Sequence, residues 1–218
     1  MSLASPSNRE QLARIAILDY RMGNLRSVQK ALQLVGADAW IAASPDAAEG
    51  AEALVLPGVG AFGDAMEHLH SLGFVPLIVR AAEQGMPLLG ICVGLQVLFE
   101  ESSEMGWHAG LGLLPGSVVR FPPPLVVPHV GWNQIHPVRE HPLVNGVPDG
   151  SHAYFTHSYY AQPSDPSVVV ATTDYGLDFA SIVARDNVWG VQFHPEKSWR
   201  VGLRILGNFV RSVAAEAG

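Results

Sequence analysis

The sequence predicts an α/β fold: three layers, with a mostly parallel central sheet flanked by helices and an added antiparallel β section in the second half. Short apolar runs alternate with segments of helical periodicity through the first hundred residues, the pattern of βαβ units. Beyond residue 117 the chain turns to closely spaced β-like runs. It closes on a segment with apolar residues at helical spacing.

Arg14 to Asp19 is an apolar run of strand length, followed by a turn at Tyr20-Arg21-Met22-Gly23-Asn24. Leu25, Val28, Leu32 and Val35 mark a helix that stops at Gly36. Asp38 to Ala42 and Ala53 to Leu56 read as strands, the second ending at Pro57-Gly58-Val59-Gly60. Ala61 to Leu69 and Val75 to Gln84 read as helices, with Gly85 as the stop. Pro87 to Ile91 is a further strand, and Leu95 to Glu101 is expected to begin another helix. In the second half, Ser167 to Ala171, Ala180 to Ala184 and Val188 to Phe193 are strand-like, with Asp186-Asn187 as a hairpin turn. Trp199 to Val213 is the closing helix. Residues 1–12 form a polar lead-in expected to be poorly ordered, and residues 13–218 read as one domain, with no composition break, repeat or low-complexity tract.

The bulk composition narrows the function. Hydrophobic residues are 48% and charged residues 15% of the 218, so the chain is globular. A formal charge of −7 disfavours nucleic acid and anionic membrane as partners. A single cysteine rules out an intramolecular disulfide and fits a reducing cytoplasm. No stretch is apolar enough for a transmembrane helix, and the start lacks a signal-peptide core.

That cysteine sits in Gly90-Ile91-Cys92-Val93-Gly94, between a predicted strand and a predicted helix. Glycines on both sides permit the sharp elbow that presents a nucleophile and points the next backbone N–H, here of Val93, at an oxyanion. A helix N-terminus also favours thiolate. A free cysteine is more often a small buried apolar side chain. The elbow alone is compatible with hydrolases, redox enzymes and inert proteins. Among nine histidines, His194 differs from the rest. It follows a strand, precedes Pro195, and has Glu196 two residues on, an imidazole with a carboxylate to orient it. His68 and His70 lie on a helix face, and His108 and His141 in loops. In Pro57-Gly58-Val59-Gly60, Gly58 and Val59 offer a second oxyanion donor, although on this segment alone an ordinary strand-to-helix turn is the better explanation.

Together these pieces resemble the class I (triad) glutamine amidotransferases, in the order nucleophile, histidine, glutamate. The resemblance covers essentially the whole chain after the lead-in. It is narrower toward the glutaminase subunits of imidazole glycerol phosphate synthase. The segments Asp19 to Leu25, Pro57 to Gly60, His129-Val130-Gly131-Trp132-Asn133, Tyr154 to Tyr159 and Phe193 to Ser198 carry it. The resemblance implies glutamine hydrolysis by Cys92, His194 and Glu196 through a glutamyl thioester, with an oxyanion hole at Val93 and Gly58-Val59. It implies glutamine binding by Gln96, Glu104, His157, Ser158 and Tyr159. It implies a (β/α)₈-barrel cyclase of histidine biosynthesis as partner, faced by Trp132, Asn133 and Lys197. Neither cofactor nor metal is implied.

Three positions depart from the family pattern. Arg21 stands where glycine is usual, so that turn is expected to differ. Val93 replaces leucine, and Trp199 replaces a small residue near the interface. The open alternatives are a glutaminase for another synthase, an inactive binding module and a cysteine peptidase.

Overall fold

The computed structural model describes residues 12–216, so the expected lead-in lies, apart from Leu12, outside the described residues. The strands are β1 Arg14–Leu18, β2 Asp38–Ala42, β3 Ala53–Gly58, β4 Leu88–Cys92, β5 Phe99–Ser102, β6 His108–Ala109, β7 Leu114–Arg120, β8 His129–Pro137, β9 Ser151–His157, β10 Tyr159–Pro163, β11 Val169–Asp174, β12 Asp178–Arg185 and β13 Val188–Val191. The α-helices are α1 Leu25–Leu34, α2 Phe62–Ser71, α3 Phe74–Glu83, α4 Val93–Gln96 and α5 Trp199–Glu216.

Nine strands form the main sheet in the order β2-β1-β3-β4-β13-β12-β11-β8-β9. The pairs from β2 to β13 are parallel. Those from β13 to β9 are antiparallel. Both β3 and β4 are buried along their whole length, as central strands covered on two faces must be. A second sheet, β10-β7-β5-β6, carries the chain's excursions from the first. The chain leaves the main sheet at Cys92 through α4 into β5. It leaves again at Ser158, between β9 and β10. These two crossings lie side by side, joined by the Gln96 Nε2–H donating to the Tyr159 carbonyl at 2.9 Å.

The predicted elements recur with shifted ends, and two expectations fail. Leu95 to Glu101 does not begin a helix: α4 stops at Gln96 and Phe99–Ser102 is strand β5. Val97, Leu98 and Phe99 are all buried, so no amphipathic stripe exists there, and Phe99 pairs in register with Leu114. A short apolar run leaves helix and strand undecided, and here the ladder with β7 wins. His108 lies in strand β6, paired with Ser102, and not in a loop. Strand β3 also runs two residues past Leu56, and this extension puts Gly58 opposite Cys92. The Asp186-Asn187 turn closes the β12–β13 hairpin, with Asp186 at φ 49°. The Asn187 amide donates to the carbonyls of Ala82 and Met86, tying the hairpin to the end of α3.

Candidate active site

Cys92 ends β4 and enters α4 with φ 56° and ψ −113°, a conformation that costs a non-glycine residue on the order of 1–3 kcal/mol. The surrounding glycines explain how it is held. A Cβ on Gly94 would overlap the Leu56 carbonyl, and one on Gly90 would lie 2.5 Å from the Gly94 carbonyl oxygen. Only backbone without side chains lets α4 pack this tightly across β3 and β4. Gly58 is needed for a similar reason: a Cβ there would sit 2.5 Å from the Tyr20 hydroxyl and 2.7 Å from Gly94 N. Gly60, at φ 90°, takes the left-handed backbone that glycine favours. Because α4 is a single turn, its macrodipole is weaker than the sequence suggested.

Across from the sulfur is His194, just beyond β13. Its Nδ1–H donates to Glu196 Oε1 at 3.0 Å, and both side chains are nearly sealed from solvent, at 2% and 1% exposure. The one-turn 3₁₀ segment Pro195–Lys197 bends the carboxylate back under the ring. The backbone is clamped as well. The His194 N–H donates to the Tyr154 carbonyl (2.9 Å), the Ser198 hydroxyl donates to the His194 carbonyl (2.7 Å), and the Tyr154 N–H donates to that hydroxyl (2.9 Å). His194 Nε2 makes no formed hydrogen bond among the described residues, yet it faces the Cys92 thiol. Burial lowers the affinity of His194 for a proton. The polar contacts with Cys92 and then Glu196 outweigh this and lift its pKa to about 9.

A cleft of about 220 Å³ opens at the sulfur. Its walls include Val59, Val93, Gln96, Glu104, His157, Ser158, Tyr159, His194 and Lys197. The volume is below the ~300–1,000 Å³ usual for drug-sized ligands and suits a small, polar one. Glu104 reaches in from beyond β5 and accepts the Phe62 N–H at 2.7 Å, at the start of α2. Burial raises its pKa, and the Phe62 bond opposes the rise.

Gly58 lies behind this wall, not on it. Trp132 and Asn133 also stand outside the cleft, on β8 beside its rim. Trp132 is 53% exposed, packs 6.0 Å from the Tyr154 ring, and with Trp199 borders a second hollow. The Lys197 ammonium lies 6.0 Å from the same Tyr154 ring.

Sequence reasoning missed Gln192. It is fully buried, and its Nε2 lies 3.8 Å from Cys92 Sγ. The available signal was a buried-type amide in the apolar run Val191-Gln192-Phe193. Thr156 and Gly60, from two of the segments that carry the family resemblance, also line the cleft. Among the described residues, no group of three or more His, Cys, Asp or Glu side chains is placed to hold a metal ion.

A cysteine at such an elbow has few chemistries open to it. Thiol–disulfide exchange within the chain needs a second cysteine, and there is none. A buried imidazole with its own carboxylate beside a cysteine is an arrangement able to serve hydrolysis through a thioacyl intermediate. The chain belongs to the glutamine amidotransferase class-I family, whose sequence pattern matches residues 16–213, and within it to the imidazole glycerol phosphate synthase HisH subunits. The HisH subunit of Syntrophotalea carbinolica is 55% identical over 202 residues, spanning 89% of this chain and 98% of that one. The HisH subunit of Halobacterium salinarum is 52% identical over 205 residues, spanning 91% and 93%. Among solved structures, PurLQS from Thermotoga maritima superposes with a TM-score of 0.75 at 20% identity, covering 95% of this chain and all of that one. At that identity the likeness speaks for the fold.

Proposed function

We propose that this amidotransferase hydrolyses glutamine to glutamate and ammonia with Cys92 as nucleophile, His194 as proton carrier and Glu196 as its orienting partner, and that the ammonia passes to a (β/α)₈-barrel cyclase subunit of histidine biosynthesis. The observation that carries the reading is the meeting of three distant segments at one small cleft: the Cys92 elbow, the sealed His194–Glu196 pair and the wall Gln96, His157 to Tyr159.

The thiolate attacks the side-chain amide carbon of glutamine. The resulting oxyanion lies between the Val93 N–H and a backbone N–H of the Gly58-Val59 segment. His194 gives its proton to the departing nitrogen, and ammonia leaves behind a glutamyl thioester. The neutral imidazole then takes a proton from water, hydroxide adds to the thioester, and glutamate departs with the thiolate restored. Gln96, Glu104 and the His157-Ser158-Tyr159 stretch hold the amino acid. Trp132, Asn133 and Lys197 face the cyclase, with Trp199 enlarging the rim.

The test is Cys92→Ala in the complex. Glutamate release should fall by many orders of magnitude while ammonia-dependent synthesis by the partner persists. Residual glutamine hydrolysis at the native rate would overturn the assignment.

A further inference from the structure

Two buried histidines stand beside the cleft, His129 on β8 and His157 on β9, linked to each other and to the cleft wall by hydrogen bonds whose directions can be worked out. His157 Nδ1 lies 2.8 Å from the Tyr159 carbonyl oxygen. A carbonyl only accepts, so Nδ1 carries the proton. Burial keeps both rings neutral, with His129 lowered to about 4 and His157 to about 3. His157 Nε2 is therefore an acceptor, and the nitrogen 3.1 Å away, His129 Nδ1, is the donor. His129 Nε2 is left to accept, and the Asn133 Nδ2–H group is 3.3 Å from it. The Asn133 amide is itself fixed. Its oxygen accepts the Gln134 N–H at 2.8 Å, and its nitrogen also donates to the Asp174 carbonyl at 2.8 Å.

Beyond Tyr159 the chain of bonds continues to the sulfur. The same carbonyl accepts from Gln96 Nε2 at 2.9 Å. Gln96 Nε2 is also 3.2 Å from Gln192 Oε1, and Gln192 Nε2 is 3.8 Å from Cys92 Sγ. The His129 ring cannot easily turn to the other arrangement. It is stacked between Tyr175 (centroids 4.0 Å apart, planes 23°) and Phe155 (5.0 Å, 22°).

We infer that His129 is a positioning residue for the glutamine pocket: its Nδ1–H tautomer, set by Asn133, fixes His157 and, through the Tyr159 carbonyl, the pocket wall and Gln96. The inference rests on reading this cleft as the glutamine site. The opposite tautomer on either ring would set lone pair against lone pair or proton against proton inside a sealed layer, where an unmade bond is costly.

Two measurements on the partner-bound protein test it. Long-range ¹H–¹⁵N correlation of ¹⁵N-histidine-labelled protein at pH 7 should report the Nδ1–H tautomer for both His129 and His157. In the glutaminase assay, His129→Phe keeps the stacking but removes both nitrogens. It should raise KM for glutamine about 5- to 10-fold, the worth of one hydrogen bond, with a smaller change in kcat. His129→Asn restores a donor near the Nδ1 position and should recover most of the loss. Ammonia-dependent synthesis should be unchanged in both variants. An Nε2–H tautomer on either ring in a protein that hydrolyses glutamine overturns the relay alone. So does an unaltered KM in His129→Phe. A native complex with the expected tautomers but no glutaminase activity overturns the glutamine-site reading, and the inference with it.

Discussion

At the scale of single residues, the site depends on a few atoms held in costly states. Cys92 adopts a left-handed φ that few side chains accept, and His194 keeps a proton in a nearly sealed pocket. The second state has a pH consequence. The pKa of His194 is raised to about 9, so the imidazolium persists through neutral pH and is lost as pH climbs through that value. In the proposed mechanism this proton goes to ammonia. The alkaline limb of kcat/KM should therefore fall near pH 9. In Glu196→Gln it should move to lower pH, because one of the two contacts that raise the pKa is gone. An alkaline limb unchanged in Glu196→Gln would separate the carboxylate from the proton transfer. Arg21 illustrates a different residue-scale effect. Standing where the family pattern has glycine, it takes a left-handed φ of 69°, with its N–H donating to Asp19 Oδ1 at 3.0 Å. That backbone costs a side-chain-bearing residue on the order of 1–2 kcal/mol.

At the scale of elements, the elbow is a packing problem. The α4 turn is pressed onto β3 and β4 at Gly90 and Gly94, where a single methyl group has no room. Gly94→Ala should displace the turn, lower stability by roughly 3 kcal/mol or more in denaturant melts, and abolish glutamine turnover. A stable, active Gly94→Ala protein would show that the elbow tolerates more slack than the geometry allows.

This scale also explains what could be read in advance. The elbow was legible because glycine spacing is local, and His194-Pro195-Glu196 because a histidine, a strand-ending proline and an acid are adjacent in sequence. Strand β5 was not, since its partner β7 is set by tertiary pairing that an apolar run does not encode. Gln192 and His129 were not read as site residues for a related reason. Each gains its meaning from atoms about a hundred or a few dozen residues away, at Cys92 and His157.

At the scale of the whole molecule, the cleft lies where the chain passes twice between its two sheets, and β8, next to the edge strand β9 of the main sheet, carries exposed Val130 and Trp132 beside it. Val59, 40% exposed, lies on the cleft wall between the rigid end of β3 and Gly60. Under the proposed function, a cyclase bound on this side completes the oxyanion hole through the Gly58-Val59 peptide. Isolated chain at saturating glutamine should then turn over about 10²–10³-fold more slowly than the chain with cyclase and its nucleotide ligand, the worth of one oxyanion donor. Equal rates would remove the partner from the catalytic cycle.

The most direct test of the central claim is the covalent intermediate itself. Protein mixed with glutamine and quenched in acid within the first turnovers should show, by intact mass and peptide mapping, one glutamyl group on Cys92. The adduct should be absent in Cys92→Ala. Turnover of glutamine with no adduct on Cys92, or with the glutamyl group on another residue, would contradict the account.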